Sequence, residues 1–274
     1  NEVYGLLIGK FYARADLAFV KKGAHVPQIM KSLTTGALTR VSFPALSRFQ
    51  DDPARLCGAM RRMIRCSMFA TLPFLAVLGV VADPLILLIY GERWLPCVPY
   101  LRVACIGCAV APAISVNIQA LMALGRSDLY LKLMVACRLL GFVVLGVSLR
   151  YGVYAFYLSN IVFSAVFGLV VWAHPNRVLL SYTVRKQLAD LLPPILYAGV
   201  GGVAAYLVSA LPLPRVWLMV PSALLGLGAF LVAALVFRSR ALGEIVEAGG
   251  PLLARKLPVL AGLVRFAATR CGGR

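Results

Sequence analysis

The sequence predicts an all-α membrane protein of about eight transmembrane helices, and three observations predict it. Five runs contain no Asp, Glu, Lys or Arg: Cys66–Ala82, Val103–Gly125, Tyr151–Asn176, Leu191–Pro214 and Val216–Phe237. About 20 apolar residues per helix match a hydrocarbon layer about 30 Å thick, and all but the first of these runs reach that length. Composition agrees: 61% hydrophobic and 14% charged residues, with a mean hydropathy of +0.86, exceed what a soluble domain buries. The third observation is that Lys and Arg alternate between rich and poor connections along the chain. Runs this long exclude the short alternating strands of a barrel, and an α-helix closes its own backbone hydrogen bonds in lipid.

The expected helices fall at about 1–12, 24–48, 63–89, 97–124, 128–149, 151–173, 188–210 and 215–237. Lys21 and Lys22 separate the first two, and the arginine-rich stretch Arg48–Arg65 precedes the third. Glu92 and Arg93 separate the third from the fourth. The link from fourth to fifth is the sharpest local signal: Gly125 supplies a left-handed residue, Ser127 caps the next helix and Asp128 sits at its positive end. Arg150 marks the next turn, His174–Asp190 carries Arg177, Arg185 and Lys186, and Pro212–Arg215 holds one charge. Pro44, Pro73, Pro84, Pro112 and Pro221 are expected to interrupt helices. Gly199, Gly201, Gly202, Gly226 and Gly228 are expected at close helix crossings. Beyond Phe237, Leu252, Leu253, Leu257 and Leu260 give a weak amphipathic pattern suited to a membrane surface.

A formal net charge of +18 raises nucleic acid as a partner, but the basic residues lie between apolar runs. The excess therefore reads as topology and contact with anionic membrane lipid, with the carboxyl terminus and the rich loops on the cytoplasmic side. The chain opens on Asn1 with no leader pattern, so a preceding segment is expected. Cys105 and Cys108 form a C-x-x-C spacing with no second pair or nearby histidine, which reads as small packing residues and not as a metal site. No phosphate-binding glycine loop, close carboxylate pair or large outward loop appears, so neither a cofactor nor a catalytic site is expected.

Ionisable residues inside apolar helices are costly and mark function by default. Lys10, Lys22, Lys31 and Arg40 concentrate at the amino end, where a cationic cavity would attract a lipid-linked phosphate or diphosphate. Arg40 lies deepest. Arg14, Lys21 and Arg138 fit snorkelling to the headgroups. Asn117, with Gln119, Ser115, Asn160 and Ser159, offers neutral hydrogen-bonding groups for a sugar, although such residues more often join helices. Asp16 and Asp83 read as helix-end or loop carboxylates before proton carriers.

Four strings carry a family resemblance: I-G-K-F-Y-A-R-A-D-L-A at Ile8–Ala18, S-F-P-A-L-S-R-F-Q-D-D at Ser42–Asp52, A-D-P-L-I-L-L-I-Y-G-E-R-W-L-P at Ala82–Pro96 and A-L-G-R-S-D-L-Y-L-K-L at Ala123–Leu133. They resemble the oligosaccharide flippases of bacterial polysaccharide and lipopolysaccharide biosynthesis, within the multidrug/oligosaccharidyl-lipid/polysaccharide exporter superfamily. The resemblance implies that 1–174 is the second six-helix lobe of a two-lobe transporter, 175–237 two additional helices and 238–274 a basic cytoplasmic tail. It implies alternating-access export of an undecaprenyl-diphosphate-linked repeat unit across the bacterial inner membrane, without covalent chemistry. The implied partners are the amino-terminal lobe of the same protein, a polysaccharide polymerase and glycosyltransferases. Lys10, Lys22 and Arg40 occupy positions whose basic residues face the cavity in such transporters. Where relatives read Tyr-Asn-Arg-Ala-Tyr, this chain has Val20-Lys21-Lys22-Gly23-Ala24, so a point charge replaces a guanidinium fork. An integral-membrane glycosyltransferase or polymerase, and a non-transporting scaffold, stand as the other readings.

Overall fold

A computed structural model describes residues 14–180, 182–211, 215–237 and 239–245, and every described element is helical. In order these are α1 Arg14–Ser47, α2 Pro53–Val80, α3 Ala82–Tyr90, a 3-10 turn at Glu92–Cys97, α4 Val98–Ala109, α5 Ala111–Ala123, α6 Ser127–Ser148, α7 Val153–Leu180, α8 Val184–Ser209 and α9 Arg215–Val236. Six helical stretches are long and apolar enough to cross a membrane, with the 3-10 turn, α4 and α5 counted as one stretch. The chain is a multi-pass membrane protein. The expected helix at about 1–12 and the leucine pattern beyond residue 245 lie outside the described residues.

The connections at 48–52, 124–126 and 182–183 share one end of the bundle, called here the basic end. Glu92–Cys97, Leu149–Tyr151 and residue 210 lie at the opposite end. Asp52 starts α2: its carboxylate accepts hydrogen bonds from the Ala54 and Arg55 backbone N–H groups at 3.1 Å, and Pro53 needs no donor partner there. At the α5–α6 hairpin Gly125 has φ +71°, and its N–H bonds the Met122 carbonyl at 3.0 Å. Arg126, not Ser127, occupies the capping position, because its carbonyl accepts the Tyr130 N–H.

Three boundaries differ from expectation. α1 is one helix of 34 residues, about 51 Å long, without the expected break at Lys21–Lys22. Gly23 there is a contact and not a breaker: an added Cβ would lie 2.7 Å from the Cys97 carbonyl oxygen and 2.9 Å from the Tyr100 Cβ. α2 begins at Pro53, so Arg55, Arg61 and Arg62 are helical instead of lying in a loop. Pro44, Pro73 and Pro221 lie within continuous helices, whereas Pro84 and Pro112 follow breaks at Val81 and Val110 in the first turns of α3 and α5.

The main core lies between α2, α5, α8 and α9, around Leu56, Met60, Ile64, Met68, Val116, Leu191 and Phe230. In lipid, such packing gains van der Waals contact and not release from water, so close approach matters most. At the α8–α9 crossing a Cβ on Gly201 would lie 2.6 Å from the Gly226 carbonyl oxygen. Gly199 and Gly228, expected at such crossings, have open space beside them.

Candidate functional site

α1 carries a polar face that the rest of the described lobe leaves uncovered. At about 100° per residue, Lys21, His25, Gln28, Ser32, Thr35 and Thr39 fall along one line of the helix. Lys21, His25, Gln28, Ser32 and Thr39 are exposed, and Thr35 is half-buried. Lys22 and Arg40, 18 residues apart, share one flank of this line about 27 Å from each other along the axis. Lys31 occupies the other flank at intermediate depth. Away from this line Val20, Gly23 and Pro27 are buried, as are Ala24 and Leu46, which lie nearer to it.

The hydroxyls on this face are satisfied by their own helix. Ser32 donates to the Ile29 carbonyl at 2.9 Å, Thr35 to Lys31 at 2.7 Å and Thr39 to Thr35 at 2.9 Å. The cations are not: among the described residues Lys31 and Arg40 are exposed and form no ion pair. Lys22 differs. Its ammonium stands 4.9 Å from the centre of the Tyr90 ring and 5.8 Å from that of Trp94, which Phe19 meets edge-on at 5.8 Å. An aromatic cluster thus holds Lys22 at the end away from Ser47. Lys10 lies outside the described residues.

Asn117 stands apart from the other candidates. It is fully buried in α5, donating to the Ala113 carbonyl at 2.9 Å, while its Oδ1 accepts from Asn176 Nδ2 at 2.8 Å. Asn176, in α7, is also fully buried, so the pair joins two helices.

At the basic end an ionic cluster joins elements far apart in sequence. Asp190 accepts from Arg61 Nε at 2.7 Å and Nη2 at 3.0 Å, from Arg65 Nη1 at 3.2 Å and from the Tyr182 hydroxyl at 3.0 Å. Arg65 also pairs with Glu244, whose backbone carbonyl accepts from Arg62 at 3.2 Å. Burial, reinforced by the Asp190 carboxylate, pushes the Tyr182 phenol above its ordinary range, so it stays a donor. Sequence reasoning assigned these arginines to topology and missed their partners. Asp190, an acid beside the basic turn of Arg185 and Lys186, was the available signal.

Residues 1–99 match a family described as polysaccharide biosynthesis protein. Over 95 residues the chain is 34% identical to a membrane protein in the cps region of Klebsiella pneumoniae, a match covering 35% of this chain and 20% of that one. Over 208 residues it is 26% identical to the teichuronic acid biosynthesis protein TuaB of Bacillus subtilis strain 168, covering 74% of this chain and 42% of that protein. The fold is that of the lipid II flippase MurJ in its inward closed conformation, with TM-score 0.69 and 16% identity over 86% of this chain and 50% of that one. The chain thus spans less than half the length of these two relatives and half that of the solved structure.

Proposed function

We propose that this chain belongs to the multidrug/oligosaccharidyl-lipid/polysaccharide exporter superfamily and serves as one lobe of a transporter for lipid-linked oligosaccharides, a reading supported by the family match over residues 1–99, the relatives and the shared fold. Residues 1–174 form the lobe, 175–237 the added helices and 238–274 the cytoplasmic tail; the basic end faces the cytoplasm of a bacterial inner membrane. The uncovered face of α1 lines a water-filled cleft against the amino-terminal lobe. Lys22, Lys31 and Arg40, with Lys10 earlier in the chain, hold the diphosphate of an undecaprenyl-linked repeat unit as the lobes alternate.

One observation carries this reading: the hydroxyls of the α1 face are bonded to their own helix, whereas Lys31 and Arg40 have no anionic partner among the described residues. An intramembrane cation costs roughly 2.5–3.5 kcal/mol at the bilayer centre on insertion scales, and water or an anion lowers that cost. Arg40 can grip two phosphate oxygens as a fork, while the Lys22 ammonium, set among Tyr90 and Trp94, acts as a point charge at the exit. The membrane step moves a bound headgroup and breaks no bond.

The test is polysaccharide export by the full-length protein carrying Lys22→Gln, Lys31→Gln and Arg40→Gln together. Export is expected to fall at least tenfold with unchanged membrane abundance, and Arg40→Lys alone to retain part of it. Normal export in the triple variant would refute the cationic cleft. An integral-membrane polymerase would instead keep polymer synthesis dependent on carboxylates, and a scaffold would lose only partner recruitment.

A further inference from the structure

We infer that the lobe holds a second anion site, centred on Arg138 and sharing only Lys31 with the α1 cleft, in the cavity between α1, α5, α6 and α7, and that it takes the phosphate headgroup of one membrane lipid. The cavity measures about 550 Å³, within the range of small-molecule sites, roughly 300–1,000 Å³. Arg138 of α6 and Lys31 of α1 both line it, with Asn160 and Ser164 of α7.

Arg138 first reads as a snorkelling residue, but its helix face says otherwise. Tyr130, Met134, Cys137, Arg138, Gly141 and Leu145 all line the cavity and recur at the spacing of a single helix face. Leu131, Val135, Leu139, Val143 and Val147 form the exposed apolar side of the same helix. Arg138 lines the cavity from the edge of that face, next to Leu131, and is exposed there. It lies 11 residues into a 22-residue helix, about 16 Å from either end, which is too deep for its head to be explained by the lipid surface alone.

No acid balances it. None of the lining residues is Asp or Glu, and among the described residues neither Arg138 nor Lys31 forms an ion pair. Asn160 and Ser164, one turn apart on α7, make no side-chain hydrogen bond among the described residues, so four hydrogen-bonding side chains converge on the space without partners of their own. A phosphate matches them: two or three oxygens accept from the guanidinium fork and the ammonium, and the amide and hydroxyl take what remains. The walls suit the rest of a lipid. Phe163 and Phe167 stack at 4.8 Å, Tyr130 and Trp172 meet at 5.4 Å, and Phe142 and Leu145 give an apolar path for a chain. The phosphate can come from a polyprenyl carrier or from a bulk anionic phospholipid, and the two sources are separable.

The test is native mass spectrometry of the full-length protein in detergent, with undecaprenyl diphosphate, phosphatidylglycerol or zwitterionic phosphatidylcholine added at equal concentration. Arg138→Gln is expected to lower the retained anionic lipid about tenfold or more, the scale of one lost charge-assisted pair. Arg138→Lys is expected to restore part of it, and Leu139→Gln on the outer face to change nothing. Loss confined to undecaprenyl diphosphate assigns the site to the carrier, and loss of both anionic lipids assigns it to the bulk headgroup. Unchanged retention of both in a folded Arg138→Gln protein would overturn the inference, as would phosphatidylcholine binding as firmly as either. An Arg40→Gln protein that fails to export yet keeps this lipid separates the site from the cleft reading.

Discussion

α1 and α2 are both rich in cations inside a membrane bundle, yet they treat them in opposite ways. On α2, Arg61 and Arg65 close on Asp190, Arg65 also meets Glu244, and Tyr182 donates to the same carboxylate. On α1, Lys31 and Arg40 are exposed and form no ion pair among the described residues. The first arrangement satisfies charge within the protein and ties α2 to α8 and the 239–245 segment, so it serves stability. The second leaves charge to be satisfied by whatever fills the space beside it, so it serves a ligand. A third kind of exposed surface marks the boundary: Leu196, Val203 and Leu207 of α8 and Trp217, Leu224 and Val232 of α9 are exposed and apolar, as lipid contact demands.

The strongest way to break this contrast is to remove the shared carboxylate. Asp190→Ala strands Arg61, leaves the largely buried Arg65 with Glu244 alone, and is expected to destabilise the lobe by about 3 kcal/mol, read as a lowered thermal midpoint in detergent. A stability loss below about 1 kcal/mol would show that the cluster is not what joins α2 to α8. Next comes a charge placed on each exposed surface. Val203→Arg on α8 should cost roughly 2.5–3.5 kcal/mol of insertion free energy, whereas Leu33→Arg on α1, beside the cation-bearing flank, should cost less than about 1 kcal/mol. Equal penalties in an insertion assay would mean that both faces meet lipid. Packing at the α8–α9 crossing is tested by Gly201→Leu, which must displace the Gly226 backbone and is expected to cost about 1–3 kcal/mol in the same thermal assay, while Gly199→Leu stays near neutral. The smallest effect is on α1 itself: Arg40→Gln should leave stability within about 0.5 kcal/mol, because it breaks no ion pair among the described residues. A large loss there would make Arg40 a structural residue.

Local chemistry made part of this legible in the sequence. The α5–α6 hairpin followed from Gly125, and α7 to α9 followed from runs whose length matches a bilayer. The continuity of α1 was hidden because Lys21 and Lys22 look like a loop until α4 supplies a surface for Gly23 to pack on. The first turns of α2 were hidden similarly: arginines there look like a connection until Asp190, 125 residues beyond Arg65, neutralises them. The candidate site divides along the same line. Lys22, Lys31 and Arg40 stood out because a charge in an apolar helix is anomalous without reference to any neighbour. Asn117 drew attention as a sugar contact, and only its bond to Asn176, 59 residues away, shows how its amide is occupied. Arg138 was read as snorkelling; only the fold brings it to the cavity that Tyr130, Met134, Cys137 and Gly141 also line.

The central claim is that water reaches the uncovered face of α1. The most direct measurement uses full-length protein with its seven native cysteines replaced, carrying single cysteines at Gln28, Lys31, Thr39 and Arg40 of α1 and at Val203 and Leu224 of α8 and α9, probed in intact membranes with a water-soluble thiol reagent. Ready labelling at the four α1 positions and protection at the other two is the expected result. Protection of Lys31 and Arg40 positions to the same degree as Val203 would place that face against acyl chains and contradict the cleft.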